Sequence, residues 1–345
     1  MKYLYDASIA EIEDWVKAKE YPRFRVGQIF KWIARGIHSF DQMTDLSKEI
    51  RSSLSADYYV DGVAIEHKLV SQIDETIKYI LRLKDNNVIE CVLMRYHHGN
   101  SICISSQAGC RMGCRFCAST GAGFGRGLSS GEMLAQVAMV ASDIGERISN
   151  IVIMGIGEPF DNYDQLILFL KAVNEPDGLG IGMRHISVST CGLVDEMLKF
   201  TNEGFPVTLS ISLHAPNDEI RKKLMPIANR YSMKEILDAC RYHIRATSRR
   251  ITFEYTLFSG VNDQVEHAKE LARQLKGMLC HVNLIPANEF AGSEYKKSKK
   301  ETISKFQEIL MENGINATVR RELGTDIMAA CGQLRRTVEE GERKL

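Results

Sequence analysis

Apolar positions along this chain change their period twice. In the first 55 or so residues they recur every three to four positions, the spacing of helices with one buried face. Val26, Ile29, Phe30 and Ile33 fall on one side of a helix predicted over Arg25–Ala34, with Gly36 as its stop. Ser8-Ile-Ala-Glu11 fits a capping box at an earlier helix start. A third helix is predicted over 45–54. Residues 56–95 then alternate, which predicts strands over 63–70, 76–83 and 88–94, the last two joined by Asp85-Asn86-Asn87. From residue 100 onward, apolar strand runs alternate with helical stretches. The strands are predicted at 101–105, 150–154, 185–189, 207–213, 251–257 and 281–285. Helices are predicted near 131–146, 163–174, 192–203, 233–246, 264–276 and 300–313, before a short strand at 316–320. Six strand–helix units imply a parallel sheet with helices outside. The expected fold is α/β, an open partial (βα)6 barrel with a small N-terminal helical domain and a short β extension. Its chemistry belongs in the loops after the strands. The predicted boundaries are 1–55 for the helical accessory domain, 56–95 for a β-hairpin linker region, 96–330 for the core and 331–345 for a tail.

Composition adds limits rather than direction. The chain has 345 residues, 44% hydrophobic and 26% charged, enough for one large core and an accessory domain. Formal net charge is zero, so bulk basicity gives no reason to expect nucleic-acid binding. Local patches would have to hold it. Arg23, Arg25, Lys31 and Arg35 lie beside Phe24 and Trp32; Lys296, Lys297, Lys299 and Lys300 crowd one loop; Arg320, Arg321, Arg335 and Arg336 sit near the C-terminus. Such charge runs are usually only solvated faces. No apolar run is long enough to span a membrane. The first ten residues, with Asp6 among them, lack a signal pattern, so no membrane partner and a cytoplasmic location are expected. Nine cysteines at this size argue against a disulfide framework and for metal or thiol chemistry wherever they cluster.

They cluster once. Cys110-Arg-Met-Gly-Cys114-Arg-Phe-Cys117 follows the first core strand. Thiolates suit iron–sulfur clusters and zinc. A structural zinc site wants four ligands, and no fourth Cys or His follows within fifty residues. Three ligands on a four-iron cluster leave one iron open. A zinc knuckle completed by a distant residue is the competing reading.

A CxxxCxxC run after a first barrel strand resembles the radical S-adenosylmethionine (SAM) superfamily. Further segments sharpen the resemblance: Met154-Gly-Ile-Gly-Glu-Pro159, Ser189-Thr-Cys-Gly192, Ser212-Leu-His-Ala-Pro216 and Asp326-Ile-Met-Ala-Ala-Cys-Gly-Gln333. With Phe24-Arg-Val-Gly-Gln-Ile-Phe-Lys-Trp32 they are similar to the dual-specificity 23S rRNA and tRNA adenine-C2 methyltransferases, the RlmN type, over nearly the whole chain. The resemblance implies one [4Fe-4S] cluster on Cys110, Cys114 and Cys117, with SAM held by Gly157, Glu158, Ser189, Ser212, Leu213, His214 and Asn288. It also implies an external electron donor such as flavodoxin or ferredoxin.

Adenine C2 is not nucleophilic, so direct methyl transfer from a sulfonium fails there. The family's route, carried over by resemblance, methylates Cys331 first. A radical formed on that methyl group attacks C2 and joins enzyme to RNA. Glu90 then accepts the C2 proton, and Cys103 resolves the adduct by forming a disulfide with Cys331. On pattern alone, Cys103 is a strand core filler and Glu90 a solvated strand residue. Gly157, Ser189 and His214 have equally plain readings as a tight turn, a helix cap and a buried histidine. The nearest alternative is the adenine-C8 branch, the Cfr type. Pro159 after Gly157-Glu158 follows the C2 pattern, while Met328 departs from both branches, which carry a second Asp there. A non-enzymatic RNA-binding or zinc protein, and a radical enzyme acting on protein or small molecules, are the other readings.

Overall fold

The computed structural model describes residues 1–121, 123–288, 294–329 and 332–334. Its N-terminal part is built from three helices. α1 (Ile9–Ala18) starts with the predicted capping box: Glu11 N–H donates to Ser8 Oγ at 3.2 Å, and Ser8 N–H to Glu11 Oε2 at 3.0 Å. α2 (Arg25–Ala34) keeps its predicted limits and buries the predicted face. α3 (Lys48–Asp57) starts three residues later than its pattern implied. Ser47 caps it by accepting from Ile50 N–H at 3.3 Å, while the Asp45 carboxylate is taken by Trp32 and Gln28 of α2. Two-residue strands, Lys2–Tyr3 and Tyr58–Tyr59, pair in parallel and close this unit.

A ten-stranded sheet follows, with its strands side by side in chain order. β1 (Val63–Val70), β2 (Ile77–Leu83) and β3 (Val88–Tyr96) form an antiparallel extension that joins β4 (Gly99–Cys103). From β4 the pairing is parallel through β5 (Ile148–Ile153), β6 (Ile186–Thr190), β7 (Thr208–Ser212), β8 (Ile251–Leu257), β9 (Cys280–Pro286) and β10 (Ala317–Val319). The crossovers carry α4 (Ser130–Ile144), α5 (Tyr163–Val173), α6 (Val194–Glu203), α7 (Asp218–Leu224), α8 (Met233–Thr247), α9 (Val265–Leu275) and α10 (Lys300–Glu312). This gives the six predicted strand–helix units and a short closing strand. Among the described residues β1 and β10 are unpaired edges, so the barrel stays open. No helix among the described residues is long and apolar enough to cross a membrane.

The helical unit and the sheet share one core, in which Ile12, Ile29 and Leu54 are fully buried with Ile102, Ile151 and Val188. Asp6 joins them by accepting from the Gly131 amide at the start of α4, 2.6 Å away. A Cβ at Gly131 would stand 2.6 Å from the Asp6 nitrogen, so only glycine permits this approach. The other sheet face carries a smaller apolar cluster of Val92, Cys103, Ile156, Ala329 and Leu334. The chain thus returns from β10 to cover its own inner face. The β1–β2 turn fastens that returning segment: Ser71 Oγ and Gln72 N–H donate to Asp326 at 2.7 and 2.9 Å, and Gly324 N–H donates to Asp74 at 2.9 Å. Met328 follows in the left-handed region at φ +50°.

Candidate active site

The cysteine loop leaves the end of β4 and is framed by a small hairpin, Gln107–Gly109 with Phe124–Gly127, that the sequence pattern did not predict. Cys110, Cys114 and Cys117 line a single cavity at the C-terminal ends of the parallel strands. The loop is tied down on three sides. Gly113 turns it at φ +72°. Arg115 N–H donates to Leu224 O of α7 at 3.0 Å. Arg111 grips Asp161 with two hydrogen bonds of 2.7 Å, joining the loop to the turn after β5.

Burial pushes the Cys110 thiol up to about 12 and the Cys114 thiol well above its ordinary value. Both prefer to stay protonated until a cationic centre binds them. Cys191 and His214 border the same cavity. Even so, among the described residues no three His, Cys, Asp or Glu side chains gather as ligands of one metal ion. A single zinc ion draws its ligands to one point, whereas each iron of a cube takes its own thiolate. The donor set, three thiols from one loop on one cavity wall, suits the cube.

Opposite the loop stand most of the residues expected to hold the sulfonium cofactor. Gly157, Glu158, Ser189, Ser212, His214 and Asn288 all line the cavity. Gly157 has φ +112°, and a Cβ there would lie 2.7 Å from Ser106 Oγ and Gln107 Cβ, so no side chain fits. Glu158 is buried, accepting from Cys191 N–H at 2.7 Å and Phe160 N–H at 3.0 Å. Burial raises its pKa, and hydrogen bonds from those two amides and from the Thr190 and Cys191 side chains only partly offset this. Ser189 and Ser212 sit at neighbouring strand ends with hydroxyls 3.3 Å apart. Leu213 is the exception: it is absent from the cavity wall and is fully buried in the main core. Glu254, Thr256, Phe258 and Arg320 also line the cavity. They carry no motif; only their places, along and just past β8 and just past β10, mark them.

His214 takes the left-handed conformation at φ +55°, and its Nδ1 accepts from Thr256 N–H at 2.9 Å. That bond leaves Nε2 as the protonated nitrogen. Burial lowers its pKa from 6.5 to about 3. Between those values the unfolded chain binds the extra proton, so this group's stabilisation is complete above about 6.5 and is lost as pH falls. His214→Asn keeps an acceptor and tolerates the backbone. Its stability, followed by denaturant melts from pH 3 to 7, should fall less steeply with acid than that of the parent chain.

A second cavity adjoins the first, sharing Cys117, Met154, Gly155, Asn288 and Arg320 in its wall. Cys103 lines it, 8% exposed, together with Val92, Met94, Gly332 and Leu334. Glu90 is not solvated, as its strand pattern implied. It is 2% exposed on β3 and pairs with the equally buried Lys78 of β2 at 3.3 Å. Lys78, Val92 and Cys103 are successive partners across three strands, which puts the buried pair and Cys103 on the same face of the sheet. The returning segment docks here: Ala118 N–H donates to Gly332 O, and Ser119 Oγ to Leu334 O, both at 2.8 Å. Cys331, Arg335 and Arg336 lie outside the described residues. No disulfide joins any two of the eight described cysteines.

Residues 104–272 match the family model of the radical SAM superfamily. Residues 3–60 match that of a ribosomal RNA large subunit methyltransferase N-terminal domain. A solved radical SAM methyltransferase from Sphaerobacter thermophilus is 43% identical and superposes with a TM-score of 0.94, covering 98% of this chain and all of its own. Curated relatives named "Probable dual-specificity RNA methyltransferase RlmN" are 51% identical in Clostridium novyi and 54% in Clostridium perfringens. The match covers 97% of this chain and 98% of the first, and 98% of this chain and 97% of the second. The chain belongs to the RlmN-type family of radical SAM dual-specificity RNA methyltransferases.

Proposed function

We propose that this enzyme methylates C2 of an adenine in 23S rRNA and in some tRNAs, with Cys331 as methyl carrier. The observation that carries this reading is the docking of Gly332 and Leu334 on Ala118 and Ser119, directly after the last cysteine of the triplet. It brings the segment around the carrier to the wall shared by the two cavities.

Cys110, Cys114 and Cys117 would hold a [4Fe-4S] cluster, and Glu158 with Ser189, Ser212, His214 and Asn288 would hold SAM. When bound, these groups supply the methyl group and the one-electron chemistry that an inert ring carbon requires. The chain's own residues do the rest. Glu158 offers the SAM amino group a carboxylate whose burial is only partly compensated. His214 presents a neutral Nε2–H to the cavity. Glu90, oriented by Lys78, accepts the C2 proton. The Cys103 thiolate attacks the sulfur of Cys331; as the disulfide forms, the bond from that sulfur to the transferred carbon breaks, its electron pair stays on that carbon, and a proton added there completes the methyl group of the freed base. Such a disulfide is transient and is formed once per turnover. An external flavodoxin- or ferredoxin-type donor supplies electrons, and the work is placed in the cytoplasm.

RNA needs a grip outside the cavity, because the target base must leave its stack to enter. Residues 1–55 are proposed as the accessory RNA-binding domain, 56–95 as the linker and 96–330 as the core. On the first, Arg23 is next to exposed Phe24, Lys31 is next to Trp32, and the Arg35 guanidinium stacks on Trp32 at 4.5 Å. Changing Arg23, Lys31 and Arg35 to Gln together should weaken RNA binding. The slope of log K against log salt should fall by about 0.7–0.9 for each phosphate that is no longer neutralised. An unchanged slope assigns the grip elsewhere.

The deciding experiment compares rRNA and tRNA from a strain lacking the methyltransferase with and without this gene, digested to nucleosides and resolved by mass spectrometry. The expected product is 2-methyladenosine. The 8-methyl isomer would instead place the enzyme with the Cfr type.

A further inference from the structure

Among the described residues Arg221 is the bulkiest side chain that is wholly buried. It lies on α7 in the run Arg221-Lys222-Lys223, and of the three it alone turns inward. Its Nη2 donates to the Cys191 carbonyl at 2.5 Å. Its Nε and Nη1 have no hydrogen-bond partner among the described residues, and none of the described carboxylates forms an ion pair with it. A buried cation with two unmet donors is among the costliest arrangements in a protein interior. The fold nevertheless retains it against the cysteine cavity. Cys191 lines that cavity, and the last turn of α7 holds the cysteine loop through Arg115 and Leu224. The field of Arg221 acts on the Cys114 and Cys191 thiols and on His214, and Asp218 of its own helix acts on it.

We propose that Arg221 is an electrostatic positioning residue for the iron–sulfur cluster, a fixed cation behind the Cys114 side of the loop that raises the cluster's reduction potential. This rests on the cluster assignment above. A cube held by three thiolates is a net anion, and the electron it accepts from the donor deepens that charge. Net charge, hydrogen bonds to sulfur and solvent exposure set such potentials. A charge in a low-dielectric interior acts far more strongly than one in water. Arginine suits the position because it stays protonated when buried and is weakly hydrated.

The test uses the full chain, reconstituted anaerobically with iron and sulfide, and a potentiometric titration followed by electron paramagnetic resonance. Arg221→Gln keeps an amide donor for the Cys191 carbonyl and loses the charge. Arg221→Met loses both. Arg221→Lys keeps the charge. The expected result is a more negative potential in the Gln and Met variants, by at least about tenfold in the reduction equilibrium (~59 mV for one electron). The Lys variant should stay near the parent value. If Gln titrates like the parent, Arg221 is only a hydrogen-bond anchor and the proposal is overturned. If Gln and Met hold no iron while Lys does, charge is required even to assemble the cluster, and the proposal stands. If all three hold no iron and lose their folded circular dichroism, Arg221 is a packing residue and the proposal fails. A parent chain without iron would instead sink the cluster assignment itself.

Discussion

Cys114→Ala should reduce methyl transfer to background, with iron falling from roughly four atoms per chain to almost none. Cys114 is the central ligand of the proposed triplet and lines the cavity with Cys110 and Cys117. With only three thiolates available, removing one leaves two corners of a cube unheld. The fold itself should survive, because Cys114 packs at the edge of the main core, only partly buried, and alanine keeps its Cβ there. Anaerobic iron and sulfide analysis, visible absorption and circular dichroism on the same sample separate the two effects. A variant that keeps its iron and its visible band would remove Cys114 from the ligand set.

Lys78→Met should be the most destabilising single change outside the main core. Lys78 and Glu90 are 1% and 2% exposed and lie 3.3 Å apart. Removing the cation leaves a carboxylate buried without it, at a cost of about 3–5 kcal/mol. Replacing both, Lys78→Met with Glu90→Leu, removes the buried charge as well and should recover most of that loss. Urea denaturation of the two single variants and the double measures the coupling directly. The double variant should be folded and unable to release RNA, since its proton acceptor is gone. If Lys78→Met is as stable as the parent, the pair is not a dry one.

Much of the architecture is legible in the sequence because each strand–helix unit carries its own period. Arg25–Ala34, Val63–Val70 and Ile251–Leu257 keep their predicted limits. The failures are local. α7 has only seven residues, too few for a periodic signal to rise above its run of charges. The small hairpin around the cysteine loop is three to four residues per strand and rich in glycine. Glu90 defeats the rule that a polar residue on an alternating strand faces water, because the face opposite the helices is itself covered. That cover comes from residues 324–329 and 332–334, far along the chain, and no local pattern announces it. Sites written in contiguous motifs, the cysteine triplet and Gly157-Glu158, could be located in advance. Glu254, Arg320 and Arg221 could not, because they meet the site only through the order of strands in space.

That strand order has a consequence for synthesis. Each strand needs only its predecessor as a template, so the sheet can grow as the chain leaves the ribosome. The strap over its inner face cannot. The Ser71–Asp326 bond spans 255 positions, so its second partner is translated long after the strand that precedes Ser71. Until then the second cavity lacks the wall that Gly332 and Leu334 give it. A chain truncated before Asp326 would lack both bonds that Ser71 and Gln72 make to it and so leave that face without its clasp.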